Sequence, residues 1–245
     1  MTTAKDGPPA TLMVPATVVR DLDARTREQL TMLLALLSGA TDTIGFLTLG
    51  SAFTSVMTGN MVLVGIAAGT RDASALGLVT TAIASYVAGV ALGSRIAGTP
   101  QADDGLWPAA VTRALAAEFV LLAGFAAAWW SLGSHPSPGW YAPLLACNAA
   151  ALGVQSSAIL RFGAGGLSTT YLTGTLTTVV SRLATRQPLH TVRHSARILT
   201  ALILGAGGGA VLVTHARPFA PALQLGLLLT VLVACTLRPW SHASS

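Results

Sequence analysis

Charge is what this sequence has least of. Only 9% of its 245 residues are Asp, Glu, Lys or Arg, against roughly a quarter in a soluble domain. A chain so poor in charge cannot cover its own surface for water, which excludes an ordinary soluble domain and points to a bilayer as solvent. Cysteine is almost missing as well. Cys147 and Cys235 both lie in apolar stretches, too few for a disulfide scaffold and without metal-ligand spacing. There is no Walker loop, no zinc-protease HExxH and no GxSxG elbow, so neither ATP drive within this chain nor those hydrolytic chemistries are expected. We expect no enzyme, no cofactor and no metal site. The net charge of +5 would suggest nucleic acid in a soluble protein, but here the excess Arg fits the cytoplasmic loops of a membrane protein, and no nucleic-acid partner is expected.

Apolar residues make up 52% of the chain, and the mean hydropathy is +0.65. They gather into stretches near 30–49, 52–70, 75–97, 109–132, 141–160, 167–184, 196–214 and 219–237. Each is roughly long enough to span a bilayer as a helix. None alternates as a strand would, which argues against a β-barrel. The expected fold class is an all-α polytopic membrane protein, with the membrane domain over residues 30–237 and short tails over 1–29 and 238–245. The Pro-rich residues 1–15 read as disordered, and residues 16–29 as a short polar helix at the cytoplasmic surface, not as a signal peptide.

Two stretches are poor lipid-facing helices because they are polar and interrupted by glycine. One contains Ser55-Val56-Met57-Thr58-Gly59-Asn60 and the other Thr170-Tyr171-Leu172-Thr173-Gly174-Thr175. Each follows an apolar segment with its own polar break, Gly39-Ala40-Thr41-Asp42 and Gly153-Val154-Gln155-Ser156. The spacing agrees to about one residue, so the chain reads as two diverged repeats, over about 30–132 and 141–237. Charge then discriminates between topologies. Eight full crossings with the N-terminus inside leave Arg95, Arg113, Arg161 and Arg217 outside and ten basic residues inside. If the two odd stretches are re-entrant, six crossings remain, only Arg71 and Arg217 lie outside, and twelve basic residues lie inside. The positive-inside rule prefers six crossings, with eight transmembrane helices as the alternative. Six crossings also place the Lys- and Arg-free loop between Trp129-Trp130 and Trp140-Tyr141 outside, where those aromatics suit an interfacial belt. The two halves would then be inverted, as in many transporters whose sites lie at broken helices near the midplane.

The run Gly39-Ala40-Thr41-Asp42-Thr43-Ile44-Gly45-Phe46, followed by Met57-Thr58-Gly59-Asn60, resembles the signature of the YoaK-like family of bacterial inner-membrane proteins of unknown function. The resemblance covers about residues 30–237 and implies a membrane-embedded domain, with no assigned substrate.

The candidate substrate- or ion-binding residues are Asp42, Thr58, Gly59, Asn60, Gln155, Ser156, Thr173, Gly174 and Thr175. A carboxylate inside an apolar segment is costly, so Asp42 is expected to face a cavity or a partner. Ser156 occupies its place in the second half. Helix breaks at the Thr-Gly elements would free backbone N–H groups to hold an anionic group, whereas Gly and Thr could equally serve close helix packing. Asn148 and Ser157 add polar groups to the stretch that carries Gln155. Glu118, one and a half turns after Arg113, reads as a structural partner of that arginine near a membrane end, and His190 and His194 as part of a basic cytoplasmic loop. The expected function is secondary transport or export of a small metabolite or ion, of unknown identity, across the bacterial inner membrane, with both termini cytoplasmic. A passive small-solute channel and a non-catalytic scaffold subunit are the alternatives. The lipid bilayer is the one partner the composition requires. The oligomeric state stays open, a homo-oligomer included.

Overall fold

The computed structural model describes residues 24–99, 107–161 and 172–237. These form eight α-helices: α1 (Ala24–Thr48), α2 (Met57–Thr70), α3 (Ala73–Ala97), α4 (Ala109–Ser131), α5 (Tyr141–Arg161), α6 (Leu172–Ala184), α7 (Arg193–His215) and α8 (Ala220–Leu237). No strand occurs among the described residues. Six of the helices (α1, α3, α4, α5, α7 and α8) are long and apolar enough to cross a membrane. The other two, α2 and α6, have 14 and 13 residues. At 1.5 Å per residue they reach about 20 Å, short of a hydrocarbon core of about 30 Å. Among the described residues, six helices and not eight therefore have the length of a full crossing.

Local chemistry sets the boundaries. The chain leaves α1 through Gly50 and Ser51, both at positive φ. Arg71 ends α2 in the left-handed region, and the next residue, Asp72, caps α3 by accepting a hydrogen bond from the Ala75 N–H at 3.0 Å. Pro138 and Pro218 sit in short 3-10 turns that lead into α5 and α8, where a missing N–H costs nothing. The expected surface helix over 16–29 is corrected in part. Residues 24–29 are the first turns of α1, because Glu28 is held there by Arg197 of α7 at 3.0 Å, with His194 at 3.1 Å. The rest of both tails lies outside the described residues.

The most extensive interfaces are α1 with α7 and α3 with α5. Both depend on glycine. A Cβ on Gly39 would overlap the Leu202 carbonyl oxygen, and one on Gly205 the Leu36 carbonyl oxygen. In the other pair, a Cβ on Gly153 would overlap the Tyr86 carbonyl oxygen, and one on Gly89 that of Ala150. Backbones approach this closely only where side chains are absent, which is how membrane helices gain packing energy without hydrophobic drive.

These contacts also fix direction. Leu36 meets Gly205 and Ala40 meets Gly209, so α1 and α7 run parallel. Ala150 meets Gly89 and Val154 meets Gly93, so α3 and α5 run parallel. Gln155 bonds to Leu34 while Leu145 lies by Gly45, so α1 and α5 are antiparallel. Short connections make α4 antiparallel to α5, and α8 to α7. Hence α1 ends and α3 begins on one side of the bundle, and the segment containing α2 enters and leaves there. The segment containing α6 does the same on the opposite side.

The central core joins α1, α4, α5 and α8 through Leu30, Leu34, Leu115, Leu122, Val154 and Leu228. Large apolar residues such as Met61, Val62, Ile66, Ile203 and Leu204 point outward, as a bilayer solvent requires. Exposed hydroxyls bond back to their own helix. Thr177 donates to the Thr173 carbonyl at 3.0 Å and Thr178 to that of Gly174 at 2.9 Å. That self-satisfaction lets a threonine-rich α6 keep an exposed face.

Candidate functional site

The polar centre of the first half forms where the chain folds back from the end of α1. Residues 49–56 return to the depth of Asp42, which lies on α1 about two turns before its end. There the Asp42 carboxylate gathers donors. Its Oδ1 accepts from the Thr54 N–H at 2.7 Å, the Thr54 hydroxyl at 2.9 Å and the Ser55 N–H at 2.7 Å. Its Oδ2 accepts from the Ser55 hydroxyl. The backbone of residues 54 and 55 is not helical, so these N–H groups have no ladder partner. Burying the carboxylate and burying the break would each be costly alone; together they satisfy one another.

Asn60 performs the second clamp. From the first turn of α2 it accepts from the Phe53 N–H at 2.9 Å and donates to the Phe53 carbonyl at 2.7 Å. Both polar groups of one residue are thus closed by one amide. Phe53 stacks on Phe46 of α1, with ring centroids 4.7 Å apart. Gly59 sits under this ring, and a Cβ there would stand 3.3 Å from it. Thr58, between these residues, is exposed.

Beside the break lies a cleft of about 250 Å³, open on one side and lined by Asp42, Thr43, Phe46, Phe53, Val56 and Leu202 among others. Its walls are almost wholly apolar, and Asp42 is the one charged residue that lines it.

Gln155 and Ser156, the residues expected to match this site, are held differently. Ser156 accepts a hydrogen bond from the Tyr86 hydroxyl at 2.8 Å and so joins α5 to α3. Gln155 turns to α1, where its Nε2 donates to Ser38 Oγ at 2.7 Å and to the Leu34 carbonyl at 3.3 Å. Thr173 and Gly174 are exposed on α6, and Thr175 is buried. Asp42 and Asn60 thus converge on residues 53–55. Gln155 and Ser156 bind α1 and α3 instead, and Thr173 and Gly174 stand on an exposed face. Ser168, Thr169 and Thr170 lie outside the described residues.

Several polar residues here were not anticipated. Gln224 of α8 is fully buried and donates to Thr41 Oγ at 2.9 Å and to Asn148 Oδ1 at 3.4 Å. A lone amide in the run 219–237 was its only signal. Glu118 requires a correction. It does not pair with Arg113, which is exposed, whereas Glu118 is fully buried in the middle of α4. Five residues on a helix put two side chains on different faces. Arg161 is also buried, and its Nη1 donates to the Ala97 carbonyl at the end of α3 at 2.7 Å. Among the described residues no three of His, Cys, Asp and Glu come together as a metal would need.

With the geometry in view, comparison with known proteins supplies the family. The profile described as "Protein of unknown function (DUF1275)" matches residues 30–236. The chain belongs to the DUF1275 family. It is also 34% identical over 200 residues to the protein named "UPF0700 transmembrane protein YoaK" of Bacillus subtilis (strain 168), covering 80% of this chain and 86% of that one. No solved structure matches. The DUF1275 match begins in the second turn of α1 and ends within α8, so nearly the whole of the six long apolar helices and both short ones falls within the family.

Proposed function

We propose that this DUF1275 protein is a secondary transporter of a small organic solute, built from two inverted halves, with its site at the cleft beside Asp42. One observation carries the reading: a carboxylate-anchored helix break lies beside an open apolar cleft between α1 and α7, in a bundle whose two halves pack alike. The likeness runs through α1/α7 and α5/α3, where each contact of one pair recurs in the other at a near-constant offset. Gly39 against Leu202 recurs as Gly153 against Tyr86, and Gly205 against Leu36 recurs as Gly89 against Ala150. The start of α2 likewise packs Met57 on Tyr86 and Ala149, and the start of α6 places Leu172 with Ala35, Ile198 and Ala201. Halves of opposite direction joined at broken helices suit alternation of access around a fixed site. The apolar walls favour an organic body over a bare ion. We place both termini and the Arg182–Arg197 region on the cytoplasmic side of the inner membrane, because basic residues concentrate there.

The test is a comparison of metabolites inside and outside cells that express the wild type, the Asp42→Asn variant or neither. A solute redistributed by the wild type and not by an equally expressed Asp42→Asn variant supports the proposal. Identical profiles in all three contradict it. If flux of the identified solute in vesicles neither saturates nor depends on a gradient, a passive channel replaces the carrier. Recovery of a stable partner without any flux favours a scaffold.

A further inference from the structure

Among the described residues, Glu118 is the one buried carboxyl that the Asp42 site does not use. It lies nine residues into α4, fully buried, and neither of its oxygens has a hydrogen-bond partner among the described residues. Its neighbours along the same stripe, Leu115 and Leu122, pack in the central core with Leu34 of α1, Val154 of α5 and Leu228 of α8. No cation among the described residues of the surrounding helices answers it. Arg113 on its own helix and Arg95 on α3 are exposed, and Arg161 at the end of α5 is directed to Ala97. On α1, Arg25, Arg27 and Glu28 lie in the first turns, and Asp42 is held by Thr54 and Ser55. Tyr86 of α3 is bonded to Ser156. Tyr141 and Cys147 of α5 belong to the other core cluster, and Cys235 of α8 is a free thiol in the central one.

An acceptor stands at the same depth. Glu118 lies 13 residues before the end of α4, and Gln155 lies 14 residues after the start of the antiparallel α5. The Gln155 amide is oriented by the Leu34 carbonyl, which can only accept, so its nitrogen faces α1. Its Oε1 is buried and has no donor among the described residues. An ionised Glu118 would add a second acceptor to this apolar layer with no donor and no counter-charge, the costliest arrangement available in a membrane. A protonated Glu118 instead supplies the O–H donor the layer lacks.

We propose that Glu118 is a proton-binding site of the working cycle, protonated while α4 and α5 are closed over Gln155 and deprotonated to water when that interface opens. The use of the proton in coupling rests on the transport reading; the binding of the proton does not.

The test uses the full chain in lipid vesicles and dicyclohexylcarbodiimide, which adds to protonated carboxyls in apolar surroundings, with the modified residue located by mass spectrometry. Labelling at Glu118 is expected at low pH and should fall about tenfold per pH unit above its midpoint. It should persist in Asp42→Asn and in Glu118→Asp, and vanish from this peptide in Glu118→Gln, whose amide keeps the shape and a hydrogen-bond donor but cannot be modified. No labelling at any pH, or labelling that ignores pH, overturns the proposal. Protection by sodium at constant pH also overturns it, in favour of a metal-cation site. The readout needs no substrate. If labelling behaves as expected while the metabolite profiles never change, the transport reading fails and the proton site stands; the reverse pattern overturns Glu118 alone.

Discussion

Replacing Asp42 by Ala and by Asn separates what its geometry does from what its charge does. In Asp42→Ala four donors lose their acceptor: the N–H groups of Thr54 and Ser55 and their two hydroxyls. The hydroxyls can turn to other acceptors, but the two N–H groups cannot, because their backbone is fixed outside any helix. Each unpaired buried donor costs about 1–3 kcal/mol, so the loss is about 2–6 kcal/mol. Asp42→Asn keeps an oxygen where three of the four donors point. Its new NH2 replaces the oxygen that faced the Ser55 hydroxyl, which then reverses and accepts. The expected loss is about 1 kcal/mol, one ordinary hydrogen bond weakened. The assay is unfolding of the purified protein by SDS titration in mixed micelles. Two results would refute the reasoning: an Ala variant as stable as the wild type, or an Asn variant as damaged as Ala. The second would mean that negative charge, not acceptor geometry, holds the break.

Three further outcomes follow from the same contacts. Asn60→Ala opens both polar groups of Phe53 and should cost about 2–4 kcal/mol in the same titration. Gly153→Ala puts a methyl against the Tyr86 carbonyl and should cost about 1–3 kcal/mol by overpacking, seen as a lower unfolding midpoint. Gly174→Ala meets nothing within 4 Å on the exposed face of α6, so it should be neutral or stabilise by up to about 1 kcal/mol.

The membrane class could be read from composition, because a bilayer imposes length and apolarity on every crossing, and a preference for six crossings over eight came from the sidedness of the basic residues. The two short helices showed as polar, glycine-interrupted stretches. Asp42 was conspicuous as a carboxylate in an apolar run, and its need for partners followed from its cost. Which partners it found did not, since the return of residues 49–56 to its depth is a tertiary event that no periodicity encodes. Glu118 was misplaced for a related reason. Proximity to Arg113 in sequence suggested a pair, whereas the helical rotation between them sends one side chain outward and the other into the core. Gly39 and Gly153 were matched in the sequence, but the close approaches that they, Gly205 and Gly89 permit were hidden, because those lie in which backbones touch.

The arrangement of the two short helices is tested most directly by sidedness. With Cys147 and Cys235 replaced, single cysteines go at Arg71, His135 and Gln187, all exposed. Arg161 is unsuitable because it is buried against Ala97. Intact cells are then treated with an impermeant thiol reagent. The account predicts labelling at 71 and 135 and none at 187 until the membrane is opened. Protection of 71 and 135 together with 187 would contradict it, since α2 would then cross the membrane and the two halves could not be inverted around the Asp42 break.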